Sequence, residues 1–262
     1  MKISANENLE QVIEKNWQRS FWNLLNVELG GWWKSKTWIW MTLLWVGVIN
    51  GISALTFIGA EDTDPAALIF FYGFTNGLFP PIAVIIVLQE SIVGEKKSGT
   101  ASWILSKPVS RKIFIFSKWV GSSLNIFITM ALIPGIVSFF EITLLTGRNF
   151  SFLSFLIVIL LLGMNLIFYI SFTLMLGTFQ NSAGAVAAIP MVFNFTQQFL
   201  MSIPFVGYLL PTAIFLRPEG NPLIASIILG EDIFSILPIV ITGALIILFL
   251  VIAFWRFEKE EF

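Results

Sequence analysis

The sequence contains no cysteine and no histidine, and only 12% of its 262 residues are charged. The first two absences exclude disulfide frameworks, thiolate nucleophiles, Ser-His catalysis, histidine-ligated zinc or haem, and histidine proton relays. The scarcity of charge excludes a soluble fold. An average soluble domain has roughly a quarter of its residues charged, whereas here 56% are hydrophobic and the mean hydropathy is +0.86. Too little polar surface remains to coat a globule, so lipid is the expected solvent. The formal net charge of −1 points to neither nucleic acid nor an acidic target, and nucleic acid is not an expected partner. Electrostatic information must lie in where the charges fall.

A hydrocarbon core about 30 Å thick takes around 20 apolar residues per helix, and the gaps between successive charges fit that length. Lys36 to Glu61 encloses 24 uncharged residues, Asp64 to Glu90 encloses 25, Lys118 to Glu141 encloses 22 and Asp232 to Arg256 encloses 23. Arg148 to Arg217 encloses 68, interrupted by Gly177, Gln180, Asn181, Ser182 and Gly184, which reads as two helices and a tight polar turn. The expectation is an all-α membrane protein with six spans, at 37–59, 66–89, 117–140, 151–176, 184–203 and 234–255. Of the fifteen Lys and Arg residues, only Arg148 and Arg217 fall outside the amino-terminal segment, the loop 90–118 and the tail. Juxtamembrane positive charge stays cytoplasmic, so both termini are expected in the cytoplasm, and an even span number agrees. All ten tryptophans map to the same half, while Tyr72 and Tyr208 mark the other boundary.

Three regions follow: residues 1–36 as a cytoplasmic interfacial (elbow) helix, 37–255 as the six-span domain, and 256–262 as a cytoplasmic tail. Within 8–30, Leu9, Val12, Ile13, Trp17, Phe21, Leu24 and Leu25 recur at helical spacing, opposite Glu10, Gln11, Glu14, Lys15, Gln18 and Arg19. Such a helix lies in the membrane interface, as a plain anchor or as a surface for a partner. Because these polar and amphipathic residues precede the first long apolar run, the first span is expected to be retained rather than cleaved.

The loop Glu90–Lys118 is much longer than a turn requires. Ser98 and Gly99 can start a short helix, Thr100–Ser106 continues it with Trp103, Ile104 and Leu105 as apolar contacts, and Pro108 stops it by disfavouring helix at Lys107. A projecting helix of this kind suits a groove on a soluble partner. A basic loop that only sets topology is the other reading. Residues Gly94–Thr100, GEKKSGT, imitate a phosphate-binding loop but fail its chemistry. Thr100 stands where the motif needs Lys, and a membrane span precedes it instead of a strand.

The run Gly94-Glu95-Lys96-Lys97-Ser98-Gly99-Thr100, followed by Leu105-Ser106-Lys107-Pro108-Val109-Ser110-Arg111 and Lys118, resembles the cytoplasmic loop of ABC-2 type transporter permeases. Val27-Glu28-Leu29 through Lys34-Ser35-Lys36 is similar to that family's approach to its first span. The likeness is concentrated in residues 27–40 and 88–122. It implies the membrane subunit of an ATP-binding cassette exporter in a bacterial or archaeal plasma membrane, paired with a second copy or homologue. It also implies two separate ATPase subunits that hold ATP and Mg, so that this chain binds no cofactor or metal and is no enzyme itself. The loop helix would be the coupling helix seated on the ATPase. Glu95, Gly99, Thr100, Leu105, Pro108, Ser110 and Arg111 match the family pattern, and Trp103 and Ile104 are bulkier than it.

No Asp, Glu, Lys or Arg sits at the middle of an expected span, and Glu90 and Glu141 lie at ends. That weighs against the alternative of an ATP-independent secondary carrier or channel, which would need a buried ionisable group. It also leaves no aspartyl dyad for intramembrane proteolysis. Asn50, Asn76, Asn125, Asn165, Asn194, Thr196, Gln197 and Gln198 are the polar residues at depth. Asn165, Asn194, Gln197 and Gln198 are the candidates for lining a translocation pathway, with hydrogen bonding between helices as the other meaning. Gly47/Gly51 and Gly73/Gly77 have the spacing of close helix packing. Residues 204–233 mix Pro204, Gly207, Pro211, Pro218, Gly220 and Pro222 with apolar residues, so the segment is expected to fold back at the outer boundary. The resemblance implies short re-entrant helices there that gate the outer end. The substrate is not legible.

Overall fold

The computed structural model describes residues 17–59, 64–107, 109–203, 205–217 and 220–260. Among these, every regular element is helical. Helix α1 (Trp17–Lys34) leads into α2 (Thr37–Phe57), α3 (Pro65–Leu88) and two short helices, α4 (Val93–Lys97) and α5 (Thr100–Leu105). Then come α6 (Arg111–Thr146), α7 (Phe152–Phe179) and α8 (Ala183–Leu200). Two 3-10 turns (Val206–Leu209 and Pro211–Ile214), α9 (Leu223–Leu229) and α10 (Leu237–Glu258) complete the chain.

Five stretches are long and apolar enough to cross a membrane: α2, α6, α7, α10 and Pro65–Lys97, which begins with α3. The span expected at 184–203 falls on α8, where Asn194, Thr196, Gln197 and Gln198 dilute the apolar character. Residues 1–16 lie outside the described set, and with them the Leu9, Val12 and Ile13 part of the amphipathic stripe. In the described part, α1 packs along α6. Leu25 is buried there, while Trp17 and Trp22 are exposed.

Charges bracket the apolar runs, but capping residues end the helices. Asp64 accepts from the Ala66 N–H at 3.0 Å and Pro65 occupies the first helical position, so α3 starts there. Ser110 caps α6 by accepting from the Ile113 N–H at 3.2 Å, and Gly147 ends it in the left-handed region at φ 64°. Helix α6 therefore runs past Glu141, which lies inside the helix. At 1.5 Å per residue α6 is about 54 Å long, well beyond a hydrocarbon core. Its π-turn at Phe127–Leu132 ends two residues before Pro134, whose missing N–H disrupts the regular ladder.

Helix α7 is the axis of the bundle: 61% of its apolar window is buried, against 17% for α10 and 22% for α2. It touches α3, α6, α8, α9 and α10. Tyr72, expected at a boundary, is instead buried against the Phe155 ring of α7. The segment after α8 does return to the bundle. Thr212, Ile214, Phe215, Leu223 and Ile224 are fully buried. The two glycines Gly73 and Gly77 make this possible. A Cβ on Gly77 would stand 2.2 Å from the Phe215 ring, and one on Gly73 would stand 1.9 Å from Ile224 Cδ1. Gly47 and Gly51 differ, since a Cβ on either meets nothing within 4 Å.

Gly77→Ala is therefore expected to destabilise the purified protein by roughly 1–3 kcal/mol through overpacking. Adding Phe215→Ala should recover part of the loss in thermal unfolding, whereas strictly additive losses would show that the two side chains do not share this space.

Candidate functional site

The loop between α3 and α6 folds as two helices joined by Ser98 and Gly99. Gly99 adopts φ 74°, a conformation that only glycine takes without strain, so the sharp turn into α5 depends on it. Helix α5 has two faces. Ala101 is fully buried and Ile104 and Leu105 pack inward against the core, while Thr100, Trp103, Ser106 and Lys107 face outward. Trp103 is 63% exposed, and the Lys107 ammonium sits 3.5 Å from its ring centroid. Pro108 lies outside the described residues.

Helix α4 is fastened on two sides. On one, Lys118 of α6 reaches Glu28 of α1 and Glu95 of α4, each at 2.7 Å. The Lys118 side chain is only 5% exposed, so its charge depends on these two carboxylates. On the other side, Lys96 contacts Glu260 at 3.0 Å and donates to the Thr178 carbonyl at the end of α7 at 3.4 Å. Arg111 donates to the Glu258 carbonyl at 2.7 Å and to the Phe257 carbonyl at 3.4 Å, neutralising the last turn of α10. Lys112 pairs with Glu258 at 3.1 Å on the surface. This basic end of the bundle thus joins α1, α4, α6, α7 and α10.

The residues expected at the loop serve four different purposes. Glu95 and Arg111 are anchors, Gly99 is the turn, and Ser110 is the cap of α6. Thr100 and Trp103 form the outer face, backed by Ile104 and Leu105. Sequence reasoning missed Glu28, Lys96 and Glu260, and it left Lys118 outside the site. The available signal was Lys118 itself, since an ammonium at the start of a span requires a partner.

The polar residues in the interior form a second network. Pro81 has no N–H, so the Gly77 carbonyl four residues earlier has no helical partner. Asn165, fully buried on α7, donates to that carbonyl at 3.2 Å. Asn194 on α8 donates to the adjacent Leu78 carbonyl at 3.2 Å and accepts from the Tyr169 hydroxyl at 2.7 Å. Gln197 donates to the same hydroxyl, and its Oε1 accepts from the Thr212 N–H at 3.4 Å. Gln198 is half-buried, with its Nε2 unpartnered. Among the described residues, no group of three or more acidic side chains is arranged to hold a metal ion.

The profile of the ABC-2 family of transporter proteins matches residues 4–262. The chain belongs to the ABC-2 transporter family. No curated protein matches the sequence. Membership makes this chain a multi-pass membrane transport subunit and implies association with ABC ATPases. In this ABC-2 protein the likeness extends well beyond the loop and the approach to α2, covering every helix described above.

Replacing Lys118 with Met leaves Glu28 and Glu95 facing one another with no cation between them. Loss of a buried partner of this kind typically costs about 3–5 kcal/mol. The expected outcome is a large drop in the thermal midpoint of the detergent-solubilised protein, with a smaller drop for Glu95→Gln. An unchanged midpoint in Lys118→Met would remove the cluster from the structural argument.

Proposed function

We propose that this ABC-2 protein is the permease subunit of an ATP-driven exporter in the plasma membrane, with α4 and α5 as the element that couples it to its ATPases. The observation that carries this reading is the exposed face of α5 around Trp103, tied through Glu95, Lys118 and Glu28 to α6 and α1. A solvated face on a rigid mount suits docking into a groove of a soluble partner. Force applied to α5 passes through α4 to α1 and α6 by way of the ion cluster, and through Lys96 and Arg111 to α10. ATP and Mg belong to two partner ATPase subunits, and this chain contributes no catalysis.

The same contacts support a reading with six crossings. Lys118–Glu28 and Lys96–Glu260 hold α1 and the end of α10 at one end of the bundle. A chain that finishes on the side where it began crosses an even number of times, so α8 counts as the sixth span despite its polar half. The excess of Lys and Arg at this end makes it cytoplasmic, together with both termini. The buried turns between α8 and α10 act as the outer gate. Asn165, Asn194 and Gln197 lock α7 and α8 to α3 while the pathway is closed, and Gln198 stands beside them.

A second copy or a homologue completes the pathway. The open face of α2, with Gly47, Gly51, Leu43, Leu44 and Leu55, and that of α8, with Gly184, Ala188, Val192, Phe195 and Phe199, are the surfaces available to it. Small residues on such faces allow close backbone approach.

Trp103→Asp changes an exposed residue and should leave membrane insertion and helicity intact while lowering transport-coupled ATPase activity about tenfold or more, equivalent to roughly 1.4 kcal/mol of docking energy. Leu105→Asp, which also disturbs the inward face of α5, should abolish it. Full coupled activity in both variants, or substrate movement by the purified chain with no ATP and no co-purifying ATPase, would replace this reading with that of a carrier or channel.

A further inference from the structure

Lys96 of α4 reaches Glu260 and the Thr178 carbonyl, at the ends of α10 and α7, so α4 lies across the end of the bundle and not along its lipid-facing side. Helix α5 follows after Ser98 and Gly99. What it offers to a partner is set by its exposed groups. Residues 96–107 carry three lysines and no Asp or Glu. Lys96 is engaged by Glu260, whereas Lys97, just before α5, and Lys107, just after it, are exposed. The Lys107 ammonium also lies over the exposed Trp103 ring, so indole and cation are presented together. The nearby hydroxyls are spent locally: Ser98 and Thr100 share a hydrogen bond of 2.8 Å, and Ser106 donates to the Trp103 carbonyl at 2.8 Å. The strongest groups left to meet a partner are two ammoniums and an indole, which donate hydrogen bonds and accept none.

A cationic, donor-only surface around one large ring narrows the chemistry of whatever receives it. An apolar pocket buries the indole, and carboxylates at the edge of that pocket answer both ammoniums with charge-assisted hydrogen bonds. We propose that the groove receiving α5 is an apolar pocket with an acidic rim, in which Asp or Glu side chains of the partner pair with Lys97 and Lys107 on either side of Trp103. The inference rests on the docking of α5 to an ATPase proposed above and assigns the chemistry of that surface. Anionic lipid headgroups match the same charges, but they line the sides of the bundle, whereas α4 and α5 close its end.

The test uses the full-length protein in phosphatidylcholine nanodiscs, titrated with the ATPase subunits that co-purify with the wild-type chain. Salt is varied from about 50 to about 300 mM, over which the Debye length falls from roughly 14 to roughly 6 Å. Wild-type affinity should fall about tenfold or more across that range, and a double variant, Lys97→Gln with Lys107→Gln, should associate about tenfold more slowly at low salt and lose most of the salt dependence. Lys97→Arg with Lys107→Arg should retain it. Trp103→Ala should instead speed dissociation and keep the salt dependence. The three residues are exposed, so circular dichroism and the thermal midpoint should stay at wild-type values. Unaltered salt dependence in the double Gln variant, with fast dissociation in Trp103→Ala, would overturn the acidic rim and leave the docking of α5 standing. Wild-type binding in every variant would overturn the docking itself, and the rim with it. Unchanged ATPase binding in the double Gln variant, together with loss of phosphatidylglycerol retention in native mass spectrometry, would assign the two lysines to the membrane and overturn the proposal.

Discussion

A lysine ammonium enclosed at the start of a membrane-crossing helix cannot remain charged without partners, and this constraint organises the basic end of the molecule. Lys118 takes its two carboxylates from elements far apart in sequence, Glu28 on α1 and Glu95 on α4. Helix α4 is too short to fix its place by apolar burial alone. Helix α4 has five residues, and α1 exposes much of one side. Pairing with one cation therefore positions both against α6, and the low-dielectric surroundings make that pairing stiff as well as strong. Helix α5 follows α4 after only Ser98 and Gly99, so its outward face inherits the same rigidity.

The opposite part of the bundle is governed by a different demand, that backbone polar groups away from water must be satisfied. Pro80 and Pro81 break the hydrogen-bond ladder of α3 at the depth where α7 and α8 pass. Asn165 and Asn194 donate to the carbonyls of Gly77 and Leu78. The Gly77 bond from Asn165 repairs the ladder where Pro81 supplies no N–H, converting a local fault into a tertiary contact, and Asn194 adds a second contact beside it. Gly77 serves twice, since its carbonyl accepts from Asn165 and its missing side chain admits the Phe215 ring. The returning turns after α8 are thereby held against the most buried helix.

Much of the design can be read along the chain because lipid imposes simple rules. Long uncharged runs reveal α2, α3, α6, α7 and α10, since a charge in hydrocarbon is expensive wherever the chain goes. Ends are less legible. Charge gaps mark where hydrocarbon begins, whereas Ser110 and Gly147 mark where α6 begins and ends, and the two differ by several residues at each side. That is why Glu141 falls inside a helix. The composition of α8 was ambiguous for the converse reason. Asn194 and Gln197 are polar by sequence, but each is fully buried and paired, so the helix tolerates them at a depth where isolated amides would not persist.

The sequence by itself determined the solvent, the helical class, the positions of the apolar spans and the presence of a structured loop at 90–118, because each depends on local composition and spacing. It could not determine partnership. Which carboxylates meet Lys118, which carbonyl needs Asn165, and which of two similar glycine pairs packs tightly are all decided between residues dozens of positions apart. Gly73 and Gly77 lie against Ile224 and Phe215, while Gly47 and Gly51 remain open, although the spacing is identical. Only the tertiary arrangement separates such cases, since contact energy depends on what stands opposite a residue and not on the pattern in which it occurs.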